Sequence, residues 1–325
     1  MSTLYLPLDA PTQVHDTWSA VAQRIGVGVR RVPGGSDFTV PWNGVSARAQ
    51  AGSLAGRWVP LQAIEVISDR VLLGQHVPTL PAVAAESRQE LVDALGEGPV
   101  YLKPRINDYK SGIVPTLEHT RWASAAEVPE PALAAMALGQ LVACPALGNP
   151  MHHLEIDFSV GPAGDVRVSH CFHHGFDGGT QPLRMTLDAS APEPLMESVQ
   201  AFCTAQGVVS SLFNIQAVQY GGQWVVMDWN PRPSGMYPGF AQLHPGIADA
   251  ALAHAAGLSL PAVPVYIELR PYWHITIPNS AAATVRSFGL HPRWVYDRSR
   301  IARIAGVADT REEVESMFTA FEETL

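Results

Sequence analysis

The chain has 325 residues, of which 47% are hydrophobic and 16% charged, and its formal net charge is −9. That length suits two or three subdomains around a sizeable core, and that sign repels a phosphate backbone and argues against general nucleic-acid binding. Cys144, Cys171 and Cys203 are odd in number and lack a CxxC spacing, which argues against a disulfide framework and for a reducing, cytoplasmic setting.

No apolar run reaches the length of a membrane span, and the opening MSTLYLPLDA lacks the basic-then-apolar pattern of a secretory leader. Residues 4–8 predict a strand and residues 12–25 a helix, with Val14, Trp18, Val21 and Ile25 near one face. Residues 27–32 predict a second strand, closed by Pro33-Gly34-Gly35. Residues 40–75 have a mixed texture that fits strands and a helix without fixing their order. Residues 87–95 predict a helix, with Ser87 as N-cap and Glu90 at the capping-box position. A strand follows over 99–103 and a helix over 132–141. MHHLEIDFSV and DVRVSHCFHH predict adjacent antiparallel strands joined at Gly161-Pro162-Ala163-Gly164. Residues 192–206 predict a helix with Leu195, Val199 and Phe202 on one face. Residues 211–220 and 223–230 predict a hairpin across Gly221-Gly222. A small-residue helix over 247–257, strands near 264–276 and a helix over 310–323, capped by Thr310 and Glu313, complete the chain.

The hairpin is the richest in chemistry. Alternation puts Asp228 and Asn230 on one face and Met227 and Trp229 on the other. If Gln216 sits opposite Asp228, then Asn214 sits opposite Asn230, and one face ends in a cluster of oxygen donors suited to a hard cation such as Mg²⁺. That register demands an odd loop such as Gly221-Gly222-Gln223, whereas a two-residue Gly-Gly turn is the commoner form and would put Gln216 on the opposite face from Asp228. Arg232, beyond the strand, is suited to hold a phosphate or an oxyanion by bidentate hydrogen bonds. A lone D-x-N is more often a solvated strand end; the full run DWNPRPSG is more specific.

Lys103 ends the apolar strand VYLKP and faces either a cleft or solvent. Lys110, Ser111 and Gly112 lie in a polar stretch whose backbone N–H groups could cover phosphates, although no GxxxxGK[ST] loop is present. Glu155 and Asp157 share a strand face, fit either to take ribose hydroxyls, to lie near a phosphate-bound metal, or to meet solvent. No HExxH or similar spacing supports zinc; His173 or His174 touching substrate or phosphate is the better reading of the histidines. No GxSxG elbow is present.

GPVYLKPRINDYKSGI, LFNIQAVQYGGQWVVMDWNPRPSG, PGIADAALAHAAGL and GVADTREEVESMFTAF, in this order, resemble the ATP-grasp superfamily. The wording is most similar to the synthetase units of the carbamoyl-phosphate synthetase large subunit, over about residues 75–260. The resemblance implies an α+β ATP-grasp fold with a short N-terminal α/β domain over 1–75, a small subdomain over 76–141 and a large one over 142–325. It implies ATP and Mg²⁺, with Mn²⁺ as a substitute, a small-molecule carboxylate and an amine as substrates, and the homodimer common in that superfamily. Lys103 would contact nucleotide phosphates, Gly112 with Lys110 and Ser111 would belong to the covering loop, and Gln140, Leu141 and Val142 would present backbone to adenine. Glu155 falls where a ribose-binding acid is expected. Gln216, Asp228 and Asn230 match the metal positions, and Arg232 matches the arginine that stabilises phosphoryl transfer. Asp228 stands where glutamate is usual. Three functions stay open: a ligase forming an amide through an acyl-phosphate, a bicarbonate-activating or carbamoyl-phosphate-type enzyme, and a nucleotide-binding module without catalysis.

Overall fold

The computed structural model describes residues 3–6, 12–31, 38–39, 59–107, 116–147, 153–176, 182–188, 191–235, 237, 241, 244–259, 272–278, 294–298, 301–307, 310, 312–313 and 316. The Pro33-Gly34-Gly35 turn, His152 and the Lys110-Ser111-Gly112 stretch lie outside them.

The N-terminal unit is strand β1 (Thr3–Leu6), helix α1 (Thr12–Arg24), β2 (Gly28–Arg31) and β3 (Phe38–Thr39), with β1 central in a parallel sheet. Its expected strand–helix–strand opening is present. Helices α2 (Leu61–Ser68) and α3 (Arg70–Leu73) occupy the stretch whose texture was mixed. Helix α4 (Arg88–Leu95) starts at Ser87, whose hydroxyl accepts from Glu90 N at 3.3 Å. Glu90 departs from the reciprocal pattern: its carboxylate accepts from Glu86 N at 3.0 Å, one residue further out.

Strands β4 (Val100–Pro104), β5 (Arg121–Trp122) and β6 (Leu141–Pro145) form a small antiparallel sheet ordered β5-β4-β6, with helix α5 (Glu130–Ala137) between β5 and β6 in sequence. The helix expected over 132–141 ends early. Gly139 takes φ +69°, and Gly139 N and Gln140 N donate back to Met136 O at 2.8 Å and Ala135 O at 2.9 Å. A glycine in left-handed conformation stops the helix, and Leu141 and Val142 belong to β6 instead.

The central sheet is antiparallel and ordered β11-β10-β7-β8-β9, from β7 (His153–Val160), β8 (Val166–Phe176), β9 (Pro182–Asp188), β10 (Ser211–Tyr220) and β11 (Gln223–Asn230). Its apolar face carries Ile156, Phe158, Phe213, Ile215 and Trp229 and packs on Leu195, Val199 and Phe202 of helix α6 (Glu193–Ala205). Each such buried side chain contributes about 1.5–3 kcal/mol of transfer free energy. Trp229 is the anchor of β11, its ring 5.0 Å from Phe202 and 5.8 Å from Phe158. Sinking Trp229 into this core turns its neighbours Asp228 and Asn230 to the opposite face.

Helix α7 (Pro245–Ala255) joins the N-terminal unit to the rest. Ala248, Ala251, Leu252 and Ala255 pack with Leu4, Leu6, Trp18 and Val21, while Trp18 stacks on Tyr237 at 4.9 Å. Arg24 donates to Asp249 through Nε at 3.0 Å and Nη2 at 2.8 Å. Strands β12 (Tyr272–Pro278), β13 (Trp294–Arg298) and β14 (Ile301–Val307) form a last sheet, ordered β12-β14-β13. The reciprocal cap expected at Thr310 is present: Glu313 N donates to Thr310 Oγ1 at 3.1 Å and Thr310 N to Glu313 Oε2 at 3.3 Å. No described helix is long and apolar enough to cross a membrane.

Candidate active site

The β10–β11 hairpin resolves its parity problem in a way the sequence reading did not foresee. The loop is the even, two-residue one: Tyr220 pairs with Gln223, and Gly221 and Gly222 take φ +59° and +80°, as a type I′ turn requires. Yet Gln216 pairs with Asp228 and Asn214 with Asn230. The register shifts between Gln216 and Ala217, because Ala217 pairs with Val226 and leaves Met227 as an extra residue. The odd loop is therefore replaced by a β-bulge, which bends the strand and re-aims side chains. Met227 accordingly leaves the expected alternation. It packs with Leu80, Val142, Cys144, Val218 and Val225 rather than with Trp229 in the core under α6. Residues beside the bulge hold it from outside: Leu80 N donates to Val226 O and Val226 N to Pro78 O, both at 2.8 Å.

Two cations meet at Asp228. Arg70 donates to its Oδ1 through Nε at 3.0 Å and Nη2 at 2.5 Å, and Lys103 Nζ donates to its Oδ2 at 3.0 Å. The three side chains are only 9%, 11% and 16% exposed for Arg70, Lys103 and Asp228. Burial pushes the Asp228 carboxyl up, but the charges of Arg70 and Lys103 and their hydrogen bonds outweigh it and hold it at about 2. The same positive field reaches His119, held below the usual histidine range by burial first and by Arg70 and Lys103 next.

Each cation is positioned by its own element. Arg70 opens α3 behind the N-cap Asp69, which accepts from Val71 N and Leu72 N at 2.9 and 3.2 Å and from Arg105 Nε at 2.9 Å. Arg70 also donates through Nη1 to Pro104 O, tying α3 to the end of β4. Lys103 lies on β4 opposite Val142. The segment presenting Gln140, Leu141 and Val142 therefore runs beside Lys103, and Gln140 O accepts from Arg105 N at 2.9 Å.

Across the central sheet the polar face forms two rows. Glu155, Gln216 and Asp228 stand opposite one another on β7, β10 and β11, and so do Asp157, Asn214 and Asn230. Asn230 Nδ2 donates to Asn214 Oδ1 and Asn214 Nδ2 to Glu155 Oε1, both at 3.1 Å. Arg232 curls over the strand exit, its Nη1 2.8 Å from Pro233 O and its Nη2 3.4 Å from Asn230 Oδ1. Thus Glu155, Gln216, Asp228 and Asn230, separate in sequence, share one face of the central sheet, with Lys103 reaching Asp228 from β4 and Arg232 reaching Asn230 from beyond the strand exit. His173 and His174 lie on β8, paired with Leu154 and His153. Arg70, the second cation on Asp228, is the residue of this cluster that sequence reasoning missed.

The donor set open to a divalent cation here would be Asp228 with the amide oxygens of Gln216 and Asn230. It is an all-oxygen set with one carboxylate, which fits Mg²⁺ completed by water and phosphate oxygens and does not fit a soft metal. Among the described residues no three His, Cys, Asp or Glu side chains converge on a common point.

No protein-family model and no curated protein matches the chain. Solved structures match over nearly its whole length. Carboxyaminoimidazole ribonucleotide synthase from Aspergillus clavatus, complexed with ATP, is 14% identical with a TM-score of 0.70, covering 99% of this chain and 98% of that one. The same figures hold for its complex with ADP and 5-aminoimidazole ribonucleotide. L-amino acid ligase from Bacillus licheniformis is 14% identical with a TM-score of 0.64, covering 99% and 97%. These likenesses show the fold: the chain has the α+β ATP-grasp fold that its sequence motifs resemble.

Proposed function

We propose that the chain is an ATP-dependent ligase that activates a small-molecule carboxylate as an acyl-phosphate and couples it to an amine, releasing ADP and phosphate. The observation that carries this reading is the convergence of Arg70 and Lys103 on Asp228, in one row with Gln216 and Glu155. Two buried cations beside a row of oxygen donors are suited to a polyphosphate and its counter-ion.

In this reading Lys103 and Arg70 take phosphate oxygens, Glu155 takes ribose hydroxyls, and the Gln140–Val142 backbone faces adenine. Lys110, Ser111 and Gly112 cover the phosphates. Gln216, Asp228 and Asn230 would hold Mg²⁺, which when bound supplies charge neutralisation along the phosphates. A substrate carboxylate oxygen attacks the γ-phosphorus, the bond to the β–γ bridging oxygen breaks, and ADP leaves. The amine nitrogen then attacks the acyl carbon, phosphate departs, and the nitrogen loses its proton to solvent or a base. Arg232 stabilises the charge on the transferring group. Positioning and electrostatics do most of the work, as phosphoryl transfer asks little covalent chemistry of a protein. A three-part division, with β6 kept in the small subdomain beside β4, a cytoplasmic setting and a homodimer belong to the same reading.

A second reading changes only the acid. The end-to-end likeness to carboxyaminoimidazole ribonucleotide synthases favours bicarbonate, activated as carboxyphosphate, as the alternative. ADP release from ATP, measured over a panel of carboxylic acids with and without amines and with bicarbonate alone, tests both. Release with an organic acid and an amine supports the ligase reading, and release with bicarbonate alone supports the second. Nucleotide binding without release on the whole panel defeats both.

A further inference from the structure

The Pro233–Ser234 peptide group is held at both ends. Its N–H donates to Asp157 Oδ1 at 2.8 Å, and its C=O accepts from Arg232 Nη1 at 2.8 Å. A peptide unit is planar, so fixing its N–H fixes where its C=O points. Asp157 is thereby linked to the Arg232 guanidinium through one rigid group. Asp157 is itself set firmly: its Oδ2 lies 2.7 Å from His170 Nε2, and both side chains are 1% exposed. It also stands in the cross-strand row with Asn214 and Asn230, and Asn230 Oδ1 is the second acceptor beside Arg232. Asp157 directs its Oδ1 to Ser234 N–H and its Oδ2 to His170. Its placement under the strand exit leaves the loop as what it acts on.

We propose that Asp157, braced by His170, is the positioning residue for Arg232, acting through the Pro233–Ser234 peptide. The role given to Arg232 rests on the ligase reading above; the linkage itself does not.

Two variants test it. Asp157→Asn retains an oxygen for Ser234 N–H. The double variant Asp157→Val/His170→Leu removes the acid and its partner together, so no buried charge is left alone. A displaced guanidinium weakens the transition state more than ground-state binding. In the folded double variant kcat is expected to fall about 10²-fold with KM for ATP unchanged, since a misplacement of about 1 Å costs that much, and Asp157→Asn is expected to keep most of kcat. A folded double variant with wild-type kcat would overturn the proposal, as would a loss explained wholly by a smaller folded fraction. A crystal structure of the double variant decides the linkage without any assay. A reoriented Pro233–Ser234 peptide supports the proposal, and Arg232 Nη1 still seated on Pro233 O defeats it. Absence of turnover in the wild-type protein over the whole acid panel would remove the ligase reading instead.

Discussion

Gln216 and Asp228 face each other across the β10–β11 ladder because Met227 is one residue more than a regular ladder would hold. The turn sets one parity and the bulge reverses it. Register here is thus fixed at two places, and each can be tested alone.

The turn depends on backbone conformation and not on space. A side chain at Gly221 or Gly222 would meet nothing within 4 Å, but both residues have positive φ. Gly221→Val is expected to destabilise the protein by about 1–2 kcal/mol, the cost of a bulky residue in left-handed conformation. Gly221→Asn is expected to be nearly neutral, because asparagine suits the first position of this turn. Urea unfolding of both variants checks the difference.

Asp228 is expected to be required for turnover and to matter for stability as well. Asp228→Ala leaves Arg70 and Lys103 without their shared counter-charge, which in a buried setting costs about 3–5 kcal/mol, the upper figure being reduced here by 16% exposure of the carboxylate. The expected outcome is loss of ADP release in a folded but less stable protein. A folded Asp228→Ala protein that turns over ATP at the wild-type rate would remove the metal assignment.

Metal binding is expected to depend on what else the cations hold. Both oxygens of Asp228 are engaged by Arg70 and Lys103, so Mn²⁺ must compete with them until phosphates draw them off. Mn²⁺ titrations followed by electron paramagnetic resonance should show weak binding to the nucleotide-free protein and tighter binding with ADP. Lys103→Met should bind Mn²⁺ more tightly than wild type in the absence of nucleotide, while binding ADP about tenfold or more weakly for want of a charged hydrogen bond worth about 1.5–3 kcal/mol.

Acid stability follows from the same three residues. The folded Asp228 carboxyl sits at about 2, below the unfolded aspartate value of about 3.9. Its contribution is therefore fully present above about pH 4 and lost as pH falls through about 2, on the order of 2 kcal/mol in all. The stability gap between wild type and Asp228→Asn, measured by urea unfolding, should be wide at pH 6 and narrow as pH falls from about 4 to about 2. A gap independent of pH would contradict the ion-pair origin of the shift.

Local signals made much of this molecule legible. The N-cap at Ser87, the reciprocal cap of Thr310 and Glu313, and the alternation that buries Trp229 while turning out Asp228 all act over a few residues. The bulge was hidden because periodicity assigns faces but does not count an unpaired residue; its trace is the apolar run Val225-Val226-Met227, which fits no strict alternation. Arg70 was hidden for another reason. It is 158 residues from Asp228, on a one-turn helix with little pattern of its own, and only the folded chain brings them together. The early end of α5 was readable at Gly139, a residue suited to stop a helix, and overlooking it placed Leu141 in the wrong element.

The backbone clasp of Val226 with Pro78 and Leu80 also divides the hairpin mechanically. Outward of it, from Gln219 to Trp224, the ribbon is mostly solvent-facing. The turn and the clasp thus hold the strand pair at two separate points. A short reporter peptide spliced between Gly221 and Gly222 should leave Asp228 in place, giving a handle on the chain that does not touch its chemistry.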